Sequence, residues 1–329
     1  MFDTFKRSDE NLSTLEKITS NINFILRNRV GAFFIYYKLY RNYFSIVTRI
    51  RRKKYPIEAV LRNGYHATLY DHIEIMSLTN FLSTTKNHQK DVEYDIKENK
   101  VTFLSLPYAN NNSKVTLYGS ITNSEAATVF LDNVYENLPV AGKTVIDIGA
   151  NIADSSIYFA VRGAKKVIGL EPFPKNYEMA KRNVKSNNLS DKITLLLAGC
   201  AATQGFITIS QSDKSWVGSS VKNSSQGFKV PMLTLENILK QNNLQNGEST
   251  QNVLKMDCEG CEYESILSAS RDIIRSFSYV QIEYHYGYKD LKYKLEENGF
   301  VVSITKPELI PNSENGNRMY VGNIYAKLV

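Results

Sequence analysis

From Lys143 onward, short apolar runs alternate with stretches of helical periodicity, and few folds accommodate that pattern. Strands are expected at about 144–148, 166–170, 193–197, 252–256 and 279–283. Helices are expected at about 154–161, 174–186, 263–269 and 290–298. A hairpin-like stretch (206–209) and a short helix (233–240) interrupt the series. The runs Val-Ile-Asp-Ile and Val-Ile-Gly-Leu are apolar throughout, as strands covered on both faces must be. The pattern predicts an α/β, Rossmann-like, doubly wound and mostly parallel sheet. Two closing strands, 300–305 and 322–328, lie close in sequence and should add a terminal antiparallel pair.

The segment Thr144-Val-Ile-Asp-Ile-Gly-Ala-Asn-Ile-Ala-Asp154 carries the strongest functional signal. A buried strand holding Asp147 meets Gly149, which opens a tight turn into a helix. Ligands of open parallel sheets bind outside the carboxyl ends of the strands. Gly149, lacking a Cβ, would let the backbone approach a ligand, and Asp147 would stand as a carboxylate at the mouth. The second strand ends in Glu171, placed to accept the ribose hydroxyls of an adenosine. The spacing Gly-x-Gly-x-x-Gly of dinucleotide sites is absent, which counts against an NAD-dependent oxidoreductase. Asp154 at the helix start would repel a phosphate. The site therefore suits an adenosine without phosphates that carries a cationic sulfonium.

The fourth strand ends in Asp257 and Glu259, with Gly260 permitting a turn. The fifth ends in Glu283 and His285. All four should gather at the carboxyl edge of the sheet. His285 or Asp257 is the expected general base, and Glu259 and Glu283 the orienting acids. The same four side chains could ligate magnesium or manganese, a reading the spacing alone does not favour.

Three motifs, Asp147-Ile-Gly-Ala-Asn-Ile, Glu171-Pro-Phe-Pro and Leu254-Lys-Met-Asp-Cys-Glu-Gly-Cys-Glu262, resemble FkbM-type methyltransferases. The resemblance covers about residues 117–329. It implies a Rossmann-like methyltransferase fold, S-adenosyl-L-methionine as donor, and O-methylation of a sugar, glycan or related small-molecule hydroxyl. Asp147, Gly149, Asn151, Glu171, Phe173 and Gly199 are the expected donor-binding residues, with Phe173 against the adenine or in the core. Ala153 departs from the family's usual glycine, and the helix is expected to stay close-packed. Cys258 and Cys261 stand where the family has small apolar residues, so both are expected to pack as small hydrophobes.

The net charge of +7 is confined to the N-terminus. Residues 1–54 hold twelve Lys and Arg against four acids, and residues 17–57 contain no acid at all. On a helix, Arg27, Lys38, Arg41, Arg49 and Arg52 form one stripe, and Phe33, Tyr36, Tyr40, Tyr43 and Val47 the opposite one. Residues 17–54 thus read as one basic amphipathic helix ended by Pro56. It could pack on its neighbour, lie on an anionic membrane or, least favoured, bind nucleic acid.

Three cysteines are too few for a secreted disulfide framework, and no leader or spanning segment is visible. The expectation is a cytoplasmic protein, peripheral at most to the inner face of the membrane. Its oligomeric state is open. Three regions are expected: a basic helical segment at 1–57, an α+β portion at 58–140 that caps the donor site or shapes the acceptor pocket, and the methyltransferase domain at 141–329. The rival to an enzyme is a non-catalytic membrane-associated or glycan-binding module with a degenerate nucleoside site.

Overall fold

The computed structural model describes residues 12–26, 31–106, 114–123, 125–210, 224, 226–244, 252–311 and 318–329. Contacts divide the chain into two units, residues 21–107 with 111–134, and residues 1–20, 108–110 and 135–329. Helix α1 (Thr14–Ile25) begins the described chain. Arg27 of the expected basic stripe lies outside the described residues.

The smaller unit opens with helices α2 (Ala32–Leu39) and α3 (Tyr43–Arg51). The reading of residues 17–54 as a single helix is corrected here. Tyr40 is extended (φ −115°, ψ 138°) and bridges Leu61. Its ring is fully buried, and its hydroxyl lies 2.9 Å from that of Thr79. Asn42 then ties the turn to the next strand: its Nδ2 donates to the Glu58 carbonyl and its Oδ1 accepts from Val60 N–H. These tertiary bonds outweigh helical continuity. A hairpin follows, β1 (Ile57–Val60) with β2 (His66–Leu69). Asp71 caps helix α4 (His72–Thr85) through two backbone N–H groups. The antiparallel sheet β3 (Val92–Asp95), β4 (Lys100–Phe103), β5 (Val115–Tyr118) and helix α5 (Glu125–Leu131) complete the unit. Phe103 of β4 stacks on Phe130 of α5 at 4.6 Å between ring centres.

The larger unit is the doubly wound domain. Strand β6 (Thr144–Ile148) is buried at every position and lies between β7 (Lys166–Leu170) and β12 (Asn252–Met256), parallel to both. Helix α6 (Asp154–Val161) connects β6 to β7, and α7 (Pro174–Ser186) connects β7 to β8 (Ile193–Leu196). A side sheet of β9 (Gly199–Cys200), β10 (Gly205–Ile209) and β11 (Phe228–Leu233) leads into α8 (Leu235–Gln241). Beyond β12 come α9 (Cys261–Ser268), α10 (Arg271–Ile274), β13 (Tyr279–Tyr284) and α11 (Lys289–Glu297). Strand β14 (Phe300–Ile304) forms the edge of the main sheet. The short β15 (Glu308–Pro311) pairs with the long β16 (Arg318–Leu328). β16 runs antiparallel to both β13 and β14 and sits between them, so the expected terminal pair is present, with its later strand inserted inward. The strand order β14-β16-β13-β12-β6-β7-β8 places the reversal of winding at β6, where open α/β sheets form their ligand crevice.

Candidate active site

The site begins where β6 ends. Gly149 adopts φ +78°, and a Cβ there would lie 1.8 Å from the Asp257 carbonyl oxygen. The glycine therefore admits the backbone at the end of β12, where the sequence suggested it would admit a ligand. The N–H groups of Gly149 and Ala150 both donate to the Leu170 carbonyl, fastening the loop to β7. Asn151 and Ala153 are also left-handed, at φ +49° and +67°. Ala153 thus stands in a conformation that favours glycine, and its methyl is fully buried at the start of α6.

Asp147 does not stand at the mouth. It is fully buried, its Oδ2 accepts from the hydroxyls of Ser155 (2.7 Å) and Ser156 (2.6 Å), and its Oδ1 lies 3.1 Å from Lys255 Nζ. The two residues are register partners on adjacent strands. Lys255 is buried too and donates to the Gly149 carbonyl at 2.9 Å. Burial disfavours its charge, but Asp147 and Asp257 hold it protonated well above the usual lysine range. Asp147 is therefore already neutralised. It braces the loop and offers no free charge to a sulfonium.

Glu171 remains aimed at the loop. Its Oε2 accepts from Asn151 N–H at 2.9 Å and its Oε1 from Phe173 N–H at 2.8 Å. Each oxygen keeps a second lone pair for a vicinal diol. Burial pushes the pKa up to about 7, against the lowering pull of those two N–H groups. Asn151 is steadied by Asn176, whose Nδ2 donates to its Oδ1. Asp154, at the start of α6, is buried and shifted by that burial to about 6, so it still opposes a phosphate at neutral pH. Phe173 packs with Ile207, Ile209, Val230 and Met232, the core alternative of the two readings. The free face of Gly199 is closed by Met232, whose Sδ would lie 2.6 Å from a Cβ.

Asp257, Glu259, Glu283 and His285 lie near one another at the ends of β12 and β13. One donor atom from each of Asp257, Glu283 and His285 lies within 4.8 Å of the other two. His285 Nε2 is 3.1 Å from Glu259 Oε2 and 3.8 Å from Asp257 Oδ1, and its Nδ1 is 3.2 Å from Glu262 Oε1. Burial would lower its pKa, but Glu259 and Glu262 hold it well above the usual histidine value. Glu262 itself is fixed by the N–H groups of Cys258 and Gly260. Burial and then the Asp257 charge push Glu283 up to about 8.

The loop between β12 and α9 carries a further correction. Cys258 and Cys261 are joined in a disulfide, their Cα atoms 5.5 Å apart, and do not pack as separate hydrophobes. Left-handed backbone at Glu259 (φ +58°) and Gly260 (φ +122°) folds the loop back so that the two sulfurs meet.

Glu171, Glu283 and His285 all have folded pKa values raised above their unfolded ones. Each binds protons more tightly in the folded state, so each contributes stability that is lost as pH rises through its folded pKa. Glu262, lowered, acts in the opposite sense, in the acid range. The melting temperature is expected to fall as pH rises from about 5 to about 9, with a shallower slope in Glu283→Gln. A melting temperature that stays level or rises across that range contradicts the assignment.

Residues 147–302 match the family model described as a methyltransferase FkbM domain, just under half of the chain. A ribosomal protein L11 methyltransferase of Carboxydothermus hydrogenoformans is 27% identical over 166 residues, 47% of this chain and 52% of that protein. Its namesake in Anoxybacillus flavithermus is 36% identical over 74 residues, 22% of this chain and 24% of that protein. The chain thus spans about half the length of the first relative and about a quarter of the second. The solved structure of methyltransferase FkbM from Methylobacillus flagellatus KT is 13% identical, covers 78% of this chain and 62% of its own, and superposes with a TM-score of 0.37.

Proposed function

We propose, from the match of residues 147–302 to the methyltransferase FkbM domain, that the chain is an S-adenosyl-L-methionine-dependent methyltransferase acting on a hydroxyl of a sugar, glycan or related small molecule. The observation that carries this reading is the convergence of Glu171 and Asp257 at the carboxyl ends of β7 and β12. They flank β6, on the two sides of the loop that follows it. The donor fits the residues present. A buried diol acceptor, Glu171, stands at the end of β7, and the start of α6 is closed to phosphate by Asp154.

The donor supplies an electrophilic methyl on a sulfonium, whose sulfur takes the bonding electron pair when the acceptor oxygen attacks. The chain's own work is alignment and proton removal. Glu171 and the loop 149–153 hold the nucleoside end. His285, kept cationic between Glu259 and Glu262, is poorly placed to take a proton. Asp257, partly exposed beside it, receives the proton from the acceptor hydroxyl. The hydroxyl acceptor class rests on the FkbM resemblance, and a carboxylate base suits it. A divalent ion at Asp257, Glu283 and His285 is the second reading, favoured by the proximity of their donor atoms. Against it, both nitrogens of His285 already face carboxylates.

Calorimetric titration with S-adenosyl-L-methionine and S-adenosylhomocysteine tests the donor site. Glu171→Ala is expected to weaken binding about tenfold to a hundredfold, the loss of hydrogen bonds to a charged group. Asp257→Asn is expected to keep donor affinity and lose about a hundredfold or more in methyl transfer to a glycan acceptor. EDTA should leave transfer unchanged. Absence of binding at millimolar donor, or full turnover in Asp257→Asn, removes the reading.

A further inference from the structure

Among the described residues no helix is long and apolar enough to cross a membrane. Helices α2 and α3 nevertheless present a surface that water alone does not suit. Helix α2 reads Ala-Phe-Phe-Ile-Tyr-Tyr-Lys-Leu, apolar nearly all round. Such a helix is ordinarily buried. Here Phe33, Phe34 and Tyr37 are 40, 55 and 48% exposed, and Phe44 of α3 is 71% exposed. They are contiguous: Phe33 meets Phe34 edge-on at 6.0 Å, and both Phe33 and Tyr37 meet Tyr43, the neighbour of Phe44, at 5.6 and 5.2 Å. Isolated exposed side chains are unremarkable, but a joined aromatic patch on a soluble unit marks an interaction surface.

The charges beside the patch select its partner. Residues 51–54 are Arg-Arg-Lys-Lys, all exposed, and no Asp or Glu occurs from 17 to 57. Phe44 and Arg51 are seven residues apart, so they lie within about 20° of each other on one side of α3. An aromatic anchor and a cation thus face the same way. That pairing matches an anionic bilayer, where aromatic rings enter the headgroup boundary and cations meet lipid phosphates. Two copies meeting through this face would bring one basic run against the other. A nucleic acid would meet the cations but leave Phe34, Ile35 and Phe44 without apolar burial.

We propose that α2 and α3 form a docking face for an anionic membrane surface. It uses none of the methyl-transfer residues. Sedimentation of the full chain with vesicles tests it, comparing phosphatidylcholine alone with phosphatidylcholine containing phosphatidylglycerol, at low and high salt. The chain is expected to bind only the anionic vesicles and to be released by salt. Replacing residues 51–54 by Gln should weaken binding by about a hundredfold or more, because each cation near the surface contributes roughly fivefold. Phe34→Glu with Phe44→Glu, both at exposed positions, should abolish binding while leaving the melting temperature and donor titration unchanged. Equal binding to neutral vesicles overturns the proposal. So does a dimer by light scattering that the Phe variants dissolve without any vesicle binding, or binding to single-stranded RNA in place of vesicles.

Discussion

Lys255→Met is expected to destabilise the domain by about 3–5 kcal/mol, a large fraction of the roughly 5–15 kcal/mol that holds a domain folded. The substitution keeps the length and apolar stem of the side chain, so little packing is lost. What remains is Asp147, fully buried on the neighbouring strand, left among the described residues with the hydroxyls of Ser155 and Ser156 and no cation against it. The Gly149 carbonyl loses its donor as well. An uncompensated carboxylate in a dry sheet is among the costliest single defects. Asp147→Asn in the same chain should restore more than half of the loss, because an amide carries no charge and can still bond Ser155 and Ser156. Urea midpoints at constant m-value measure both steps. A loss under about 1 kcal/mol in Lys255→Met, or no recovery in the double variant, would show that the pair is not the brace described.

That pair also shows where the sequence was and was not legible. The strands β6 and β7 are readable because each is a short, mostly apolar run, closed by Gly149 in one case and by Glu171-Pro172 in the other. Within β6 and β12, Asp147 in Val-Ile-Asp-Ile and Lys255 in Val-Leu-Lys-Met are charges in runs that should be dry. Each demands a partner, and each is the other's candidate. What sequence lacks is the register that puts Lys255 opposite Asp147, a property of strand order. The sequence alone therefore points Asp147 at a ligand and gives Lys255 no role. Gly149 was recognised as necessary, but the atom it makes room for belongs to Asp257, 108 residues later.

The acids at the ends of β12 and β13 are legible as a group, because strand ends of a doubly wound sheet share one edge. Glu262 has no legible role in the sequence, since only the fold of the 258–261 loop turns its carboxylate toward His285. The disulfide was equally invisible, because C-x-x-C spacing permits packing, metal binding or bonding alike. The break at Tyr40 was hidden for another reason. Helical periodicity continues through residues 40–42, and only the contacts of Tyr40 and Asn42 with Thr79, Glu58 and Val60 override it.

Gly149→Ala should be the most damaging single methyl that can be added to the site. Two costs combine there. The left-handed backbone at φ +78° costs a non-glycine residue about 1–2 kcal/mol wherever it occurs. The new Cβ would also sit 1.8 Å from the Asp257 carbonyl oxygen and 2.8 Å from its carbon, both backbone atoms of a strand end that pairs with β6. Nothing flexible can yield. The ends of β6 and β12 must separate, which disturbs the loop that meets Glu171 and the position of Asp257 together. Gly142→Ala isolates the first cost, because Gly142 has nearly the same backbone (φ +71°) with nothing within 4 Å of its Cβ. The control is expected to lose about 1–2 kcal/mol and to keep donor affinity. Gly149→Ala is expected to lose roughly 4 kcal/mol or more, and the fraction that folds should bind S-adenosylhomocysteine at least about a hundredfold more weakly. Thermal melts and calorimetric titration of the two variants side by side decide the matter. Equal losses would mean that the two strand ends can part at little cost, and that the loop after β6 owes its shape to its own turn residues and not to the carbonyl pressed against it.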